Sequence, residues 1–182
     1  MRVTGGEVKG YRLKVPKGDL VRPTTDMVRQ ALFSMLGVMA NDWRKVLDLY
    51  AGSGALGIEA LSRGAGWVDF VEREPRCCAI IKDNLEKTGF KDKAHVYCCN
   101  VKKALTFLSD KYDIILMDAP YSDRSSGDLL QQLAESDIIN VDSLVAVSHS
   151  NRSPLSGSYD GLRLVREQRY GDTRISIYHK GG

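Results

Sequence analysis

What this chain lacks narrows it first. No apolar run approaches the roughly twenty residues that a membrane span needs, and the opening Met1-Arg2-Val3-Thr4-Gly5-Gly6-Glu7 carries no apolar signal core. A cytoplasmic protein without membrane contact is therefore expected. The four cysteines fall as two adjacent pairs, Cys77-Cys78 and Cys98-Cys99. That spacing suits neither a zinc knuckle nor a disulfide framework, so no metal site is expected and the thiols read as buried groups on a helix and at a strand end. There is no internal repeat, low-complexity tract or linker. The 182 residues, 43% hydrophobic and 27% charged, then read as one ordinary globular domain over 1–182, a monomer, with a basic N-terminal extension over 1–20.

Charge is modest but uneven. Residues 1–29 hold seven Lys or Arg (Arg2, Lys9, Arg12, Lys14, Lys17, Arg22, Arg29) against three acids, a local +4, while the remainder sums to −1. On this count the basic excess lies in the N-terminal segment, and it points to a polyanionic partner as readily as to a solvated lysine-rich face.

The chain is organised around residues 46–57, VLDLYAGSGALG: a short apolar strand, a glycine-rich turn and the start of a helix. Apolar runs suit strands buried on both faces, glycine allows tight turns and close approach to a ligand, and the helix that follows aims unpaired amides into the turn. Ala51, Gly52 and Gly54 are thus candidate cofactor contacts. Gly52, Gly54 and Gly57 also satisfy the dinucleotide fingerprint, with Glu72 eighteen residues beyond Gly54. Asp48 decides between cofactors. A pyrophosphate would meet a like charge there, whereas S-adenosylmethionine brings an ammonium and a sulfonium that a carboxylate attracts.

From Val46 onward, strands (46–50, 67–72, 94–98, 113–118, 143–148) alternate with helices (55–63, 75–88, 101–109, 126–135), and two further strands (162–170, 173–179) turn at Gly171-Asp172. The pattern predicts an α/β fold: a doubly wound, mostly parallel seven-stranded sheet with an antiparallel edge. Residues 1–15 alternate as a small hairpin appended to that sheet. Thr24 or Thr25 can cap a helix that Gly37 closes. Ligands in such sheets sit beyond the carboxyl ends of the strands. Asp48, Glu72 and Asp118 each end a strand, and Asn100 follows one. Glu72 can accept from two ribose hydroxyls. Asn100 can either read an adenine amine or cap the following helix.

Residues 114–121, IILMDAPY, place an acid, a small residue, a proline and an aromatic at the end of a buried strand. An exocyclic base amine is a poor nucleophile because its lone pair is delocalised. Two acceptors that bind both amine hydrogens, the Asp118 carboxylate and the Ala119 carbonyl, favour a pyramidal nitrogen able to attack a methyl sulfonium, so the reaction needs mainly positioning. Pro120 biases residue 119 toward an extended backbone, and Tyr121 offers a stacking face for a base swung out of its stack.

On these stretches, and on Arg22-Pro23-Thr24-Thr25-Asp26-Met27-Val28-Arg29-Gln30-Ala31-Leu32-Phe33, Glu59-Ala60-Leu61-Ser62-Arg63-Gly64-Ala65 and Tyr170-Gly171, the chain resembles the bacterial methyltransferases that modify a guanine exocyclic amine in 16S ribosomal RNA. The resemblance implies a class I methyltransferase fold, S-adenosylmethionine as donor and a ribosomal RNA guanine as acceptor; a basic hairpin on so small an enzyme predicts that the RNA is presented within a partly assembled small subunit. It makes Arg22 and Thr24 candidates near the cofactor and substrate entrance. Read from the residues alone, they can equally be an arginine on phosphate and a helix cap. Three positions depart from the family pattern. Ala119 replaces the first of two prolines, Asn100 replaces an aspartate, and Ser148 stands before His149 where a glutamate is expected. His149 itself reads as structural. The competing readings are a methyltransferase on another amine (adenine in nucleic acid, or protein glutamine), a non-catalytic RNA-binding module and a dehydrogenase.

Overall fold

The computed structural model describes residues 1–18, 24–120 and 125–182. Its centre is an eight-stranded sheet: β1 (Lys45–Leu49), β2 (Trp67–Glu72), β3 (Ala94–Cys98), β4 (Tyr112–Asp118), β5 (Ile139–Ser150), β6 (Ser158–Tyr159), β7 (Leu162–Tyr170) and β8 (Thr173–Lys180). The spatial order is β3-β2-β1-β4-β5-β8-β7-β6. The first five are parallel and the last three antiparallel. The order reverses between β1 and β4, and their carboxyl ends form the crevice where doubly wound sheets bind ligands.

Alternating side chains commit each strand to two cores. Val46, Ile114 and Leu116 pack on one face with α1 (Asp26–Met39), α2 (Ala55–Ser62) and α3 (Pro75–Thr88). Leu47, Leu49, Ile115 and Met117 pack on the other with α4 (Val101–Phe107) and α5 (Ser126–Glu135). Burial of each such side chain contributes about 1.5–3 kcal/mol, so slipping a strand by one residue would exchange the two cores.

Four expectations change in detail. The sheet has eight strands rather than seven, because the two-residue β6 pairs with β7. β5 begins at Ile139 rather than 143, pairing with Tyr112 before a register shift. α1 runs through Gly37, which keeps a negative φ, to Met39, and the Ala40 amide closes the helix on the Leu36 carbonyl at 2.8 Å. The N-terminal segment pairs with itself as an antiparallel hairpin, the Val3 amide donating to the Tyr11 carbonyl and the Leu13 amide to the Met1 carbonyl, both at 3.0 Å around an Arg2–Arg12 bridge, but it does not extend the sheet. It folds onto α2 instead, with Val3, Val8 and Leu13 in the first core and the Glu7 amide donating to the Ser62 carbonyl at 2.7 Å. Its apolar beats find more buried surface against helices than along a sheet edge.

Candidate active site

Asp48 is buried on β1. Its Oδ2 accepts from the Gly57 amide at 2.9 Å, and its Oδ1 has no hydrogen-bond partner among the described residues. Burial pushes this carboxyl up to about 8. The Gly57 amide opposes the shift, and the negative charges of Asp118 and Glu72 add to it. Gly57 has to be glycine for the helix to close onto the sheet: a Cβ there would lie 2.3 Å from Phe70 Cε1. Gly54 caps α2 in the left-handed region, at φ 82.

Glu72 ties the glycine turn to the next helix. Its Oε1 accepts from the Gly52 amide at 2.9 Å and its Oε2 from the Glu74 amide at 2.7 Å. Each oxygen keeps a lone pair for a hydroxyl donor. Glu74 precedes α3 without a side-chain cap bond. The Ala51 amide donates to the Val71 carbonyl at 3.1 Å, pinning the turn to β2. Asn100 takes the structural of its two expected roles. Its Oδ1 caps α4 by accepting from the Lys103 amide at 2.7 Å, which leaves one lone pair for an adenine amine.

Asp118 ends β4, adjacent to β1. Asp48 pairs in register with Leu116, so Asp118 lies two residues further, about 7 Å along the strand, on the same face. Burial raises the Asp118 carboxyl to about 6, while the hydroxyl of Thr24 pulls it down; Ser148 is its register partner on β5. Thr24 Oγ1 donates to Asp118 Oδ2. The alternative between Thr24 and Thr25 is thereby resolved: Thr25 caps α1, accepting from the Val28 amide at 3.2 Å, and Thr24 is free for the site. The positions of Arg22 and Tyr121 lie outside the described residues.

Behind Thr24 lies a network the sequence reading did not identify. Arg29 is fully buried on α1. It donates to the Thr24 carbonyl at 3.1 Å, to Asp26 at 2.7 Å, to Glu59 at 3.3 Å and to the Arg2 carbonyl. Glu59, buried on α2, also accepts from the Thr4 and Gly5 amides at 2.9 and 3.0 Å and from Arg63 at 2.8 Å. The guanidinium thus clamps the start of the chain, the α1 entry and α2 together. The available signal was a charged residue at an apolar helix position, Arg29 one residue after Val28 and Glu59 one after Ile58.

Ala119 and Pro120 form one wall of an open cleft of about 430 Å³, completed by Gly127 of α5, His149, Arg152 and Tyr159. His149 is structural, as expected. Its Nδ1 lies 3.1 Å from the Ser153 carbonyl and its Nε2 2.8 Å from Ser176 Oγ. The carbonyl can only accept, so the neutral ring carries its proton on Nδ1, and the single Ser176 hydroxyl proton is shared between Nε2 and the Glu167 carboxylate at 3.2 Å. Burial holds the ring's proton affinity below the usual range. The cysteines follow the expectation in part. Cys77 and Cys78 are buried, Cys99 is half-buried and Cys98 is exposed at the end of edge strand β3. Among the described residues no His, Cys, Asp and Glu cluster is arranged to hold a metal, and no helix is long and apolar enough to cross a membrane.

Comparison with known proteins places this site in context. The family described as Conserved hypothetical protein 95 matches residues 1–179. YlbH of Bacillus subtilis, a putative rRNA methyltransferase, is 35% identical over 185 aligned positions that cover 100% of both chains. Ribosomal RNA small subunit methyltransferase D of Escherichia coli is 31% identical, covering 99% of this chain and 90% of its own. Among solved structures, the putative methyltransferase yhhF of Escherichia coli superposes with a TM-score of 0.88 at 27% identity, over 100% of this chain and 98% of that one.

Proposed function

The chain belongs to the Conserved hypothetical protein 95 family, and we propose that it is an S-adenosylmethionine-dependent methyltransferase acting on the exocyclic amine of a guanine in small-subunit ribosomal RNA. The observation that carries this reading is the pair of acids on adjacent strand tips and one sheet face, Asp48 and Asp118, the first with a buried oxygen that has no partner among the described residues. The ribosomal RNA methyltransferase names of the YlbH and Escherichia coli relatives support the ribosomal RNA acceptor.

The residues fit the cofactor. Asp48 Oδ1 is an orphaned acceptor suited to an ammonium, and the backbone at Ala51, Gly52 and Gly54 forms a turn without bulky side chains. Glu72 keeps acceptor capacity for ribose hydroxyls, and Asn100 keeps one lone pair for an adenine amine. Arg22 and Thr24 remain candidates at the entrance. When bound, S-adenosylmethionine supplies a methyl group already activated on a sulfonium.

The protein's task is then to hold the acceptor. The base enters the cleft beside Ala119 and Pro120, and Tyr121, next in the sequence, is the candidate stacking residue. The ionised Asp118 carboxylate and the Ala119 carbonyl accept the two amine hydrogens and aim the nitrogen lone pair toward the methyl. Methyl transfer leaves a surplus proton on that nitrogen, and Asp118 is placed to receive it. Thr24 favours the ionised form of Asp118 that this requires. The Ala119 position contributes only its carbonyl, so alanine in place of proline is compatible with the chemistry.

On this reading one domain, 1–182, works as a monomer in the cytoplasm on a partly assembled small subunit, whose proteins present the base to so small an enzyme. The test is mass spectrometry of ribosomal RNA from a deletion strain, complemented with wild type or Asp118→Ala. One guanine should lose its N2-methyl in the deletion, regain it with wild type and stay unmodified with Asp118→Ala, although the variant still binds cofactor. An unchanged guanine methylation pattern would reject the assignment.

A further inference from the structure

We infer that the β7–β8 turn and Arg152 form a second RNA-backbone contact, in which Arg152, Arg169 and Arg174 grip phosphates on the flank of the cleft opposite the basic N-terminal segment. The inference rests on the RNA reading above and adds where the strand is held.

Net charge concealed this surface. The −1 outside the N-terminal segment is the sum of two unlike parts: residues 30–150 carry thirteen Lys or Arg against seventeen acids, a net −4, and residues 151–182 carry six against three, a net +3. The basic excess is therefore not confined to the residues before 30, as the undivided count suggests. A neutral average hid a basic block behind an acidic middle.

Topology carries that block to the active edge. β5 runs parallel to β4, so Ser148–Ser150 end beside Asp118. β8 is antiparallel to β5 and starts there, with Arg174 opposite His149 and Thr173 opposite Ser150. β7 ends there, with Arg169 opposite Arg174 and Tyr170 opposite Thr173. The Asn151 amide donates to the Asp172 carbonyl at 2.7 Å, fastening the turn to the loop that bears Arg152. Residues directly opposite in a sheet share a face, so His149, Arg174 and Arg169 form one row on the cleft's side of the sheet. Arg152 lines the cleft itself.

The energetics of this row call for an anion. Arg169 and Arg174 are a directly opposed like-charge pair, which is unfavourable in a sheet. Glu167 offsets part of that through its 3.1 Å ion pair with Arg174. Arg169 is exposed and uses its Nε on the Gly171 carbonyl at 2.9 Å, which orients the guanidinium fork without consuming its other donors. On the far flank, Asn84 binds both the Lys14 and Ser53 carbonyls, at 2.9 and 3.0 Å, so the basic N-terminal segment borders the glycine turn. Along the carboxyl edge between the flanks, on the other sheet face from the arginine row, stand the acids Glu72 and Asp118, which repel phosphate. A strand gripped on both sides, with one base let down between them, meets this charge pattern.

The experiment compares wild type, Arg152→Gln/Arg169→Gln and a control, Arg163→Gln, in methyl transfer and in RNA binding across a salt series. Arg163 pairs with His179 at the other end of the hairpin, six residues and about 20 Å from Arg169. The double variant should raise the KM for RNA about tenfold and flatten the slope of log affinity against log salt by about 1.5, with cofactor affinity intact, while Arg163→Gln matches wild type. A wild-type KM and salt slope in the double variant would overturn the inference and leave the proposed function standing. Weakened binding to assembled subunits with an unchanged salt slope on naked RNA would also overturn it, because the partner would then be a ribosomal protein. If wild type neither binds nor methylates ribosomal RNA, the proposed function fails first and this inference with it.

Discussion

The Thr24 hydroxyl donates to the Asp118 carboxylate, joining two positions 94 residues apart at the point where α1 meets the end of β4. The bond makes the first helix part of the proposed catalytic group, because a hydroxyl donor favours the ionised carboxylate against the effect of burial.

From this follows a pH dependence. Burial raises Asp118 to about 6 and the Thr24 hydroxyl opposes the rise. The working form is ionised, so kcat should fall as pH drops through about 6. Thr24→Val removes the opposing bond, and the acid limb of the kcat profile should move to higher pH. A limb that stays in place in the variant, measured with saturating RNA, would separate Asp118 from the rate.

Asp48, raised to about 8 and holding an oxygen without a partner among the described residues, is largely protonated at neutral pH before a cation arrives. Cofactor binding at pH 7 should therefore release close to one proton, detectable by calorimetry in buffers of different ionisation enthalpy. Asp48→Asn should abolish both the release and tight binding.

The same residue sets a stability trade-off. Its folded proton affinity exceeds the unfolded one, so its contribution is greatest below about pH 4 and is lost progressively as pH rises to about 8. Asp48→Asn should therefore raise the melting temperature of the cofactor-free protein at pH 7–8, by up to about 4 kcal/mol in stability, with the difference vanishing near pH 4. Equal melting curves at pH 8 would show that the native carboxylate is not penalised.

Arg29 and Glu59 are both fully buried, at 3.3 Å. Arg29→Met leaves Glu59 with fewer partners and should cost about 3–5 kcal/mol in urea unfolding. Pairing it with Glu59→Gln should cost less than the sum of the single changes, because the second substitution removes the stranded charge. Additive losses would show that the two groups do not act as a unit.

Gly57→Ala drives a methyl against Phe70 and should destabilise by about 1–3 kcal/mol. Phe70→Leu in the same chain should recover part of that loss. No recovery in a thermal melt would place the strain elsewhere.

Much of this protein was legible along the chain. Strands 67–72 and 94–98 and helix 75–88 were predicted with the bounds observed, because runs of apolar residues, Pro75 at a helix start and Gly89 at its end act within a few residues. Asp48, Glu72 and Asp118 were legible as acids ending apolar strands. Asn100 was legible only as two possibilities, since capping and base reading ask for the same amide oxygen. Gly37 misled because a glycine near a helix end usually stops it, and here packing by Leu36 upstream and the Ala40 amide downstream carried the helix on.

The sequence by itself determined the alternation of strands and helices, the two cores and the acids at the strand tips, all properties of neighbouring residues and their periodicity. Only the tertiary structure decided that Thr24 serves Asp118, that Arg29 and Glu59 share one buried network, and that a basic hairpin near the C-terminus borders the cleft. Those pairings join residues 94, 30 and more than 30 positions apart. Charge and hydrogen bonding act through space, so their partners become known only when the sheet order is fixed.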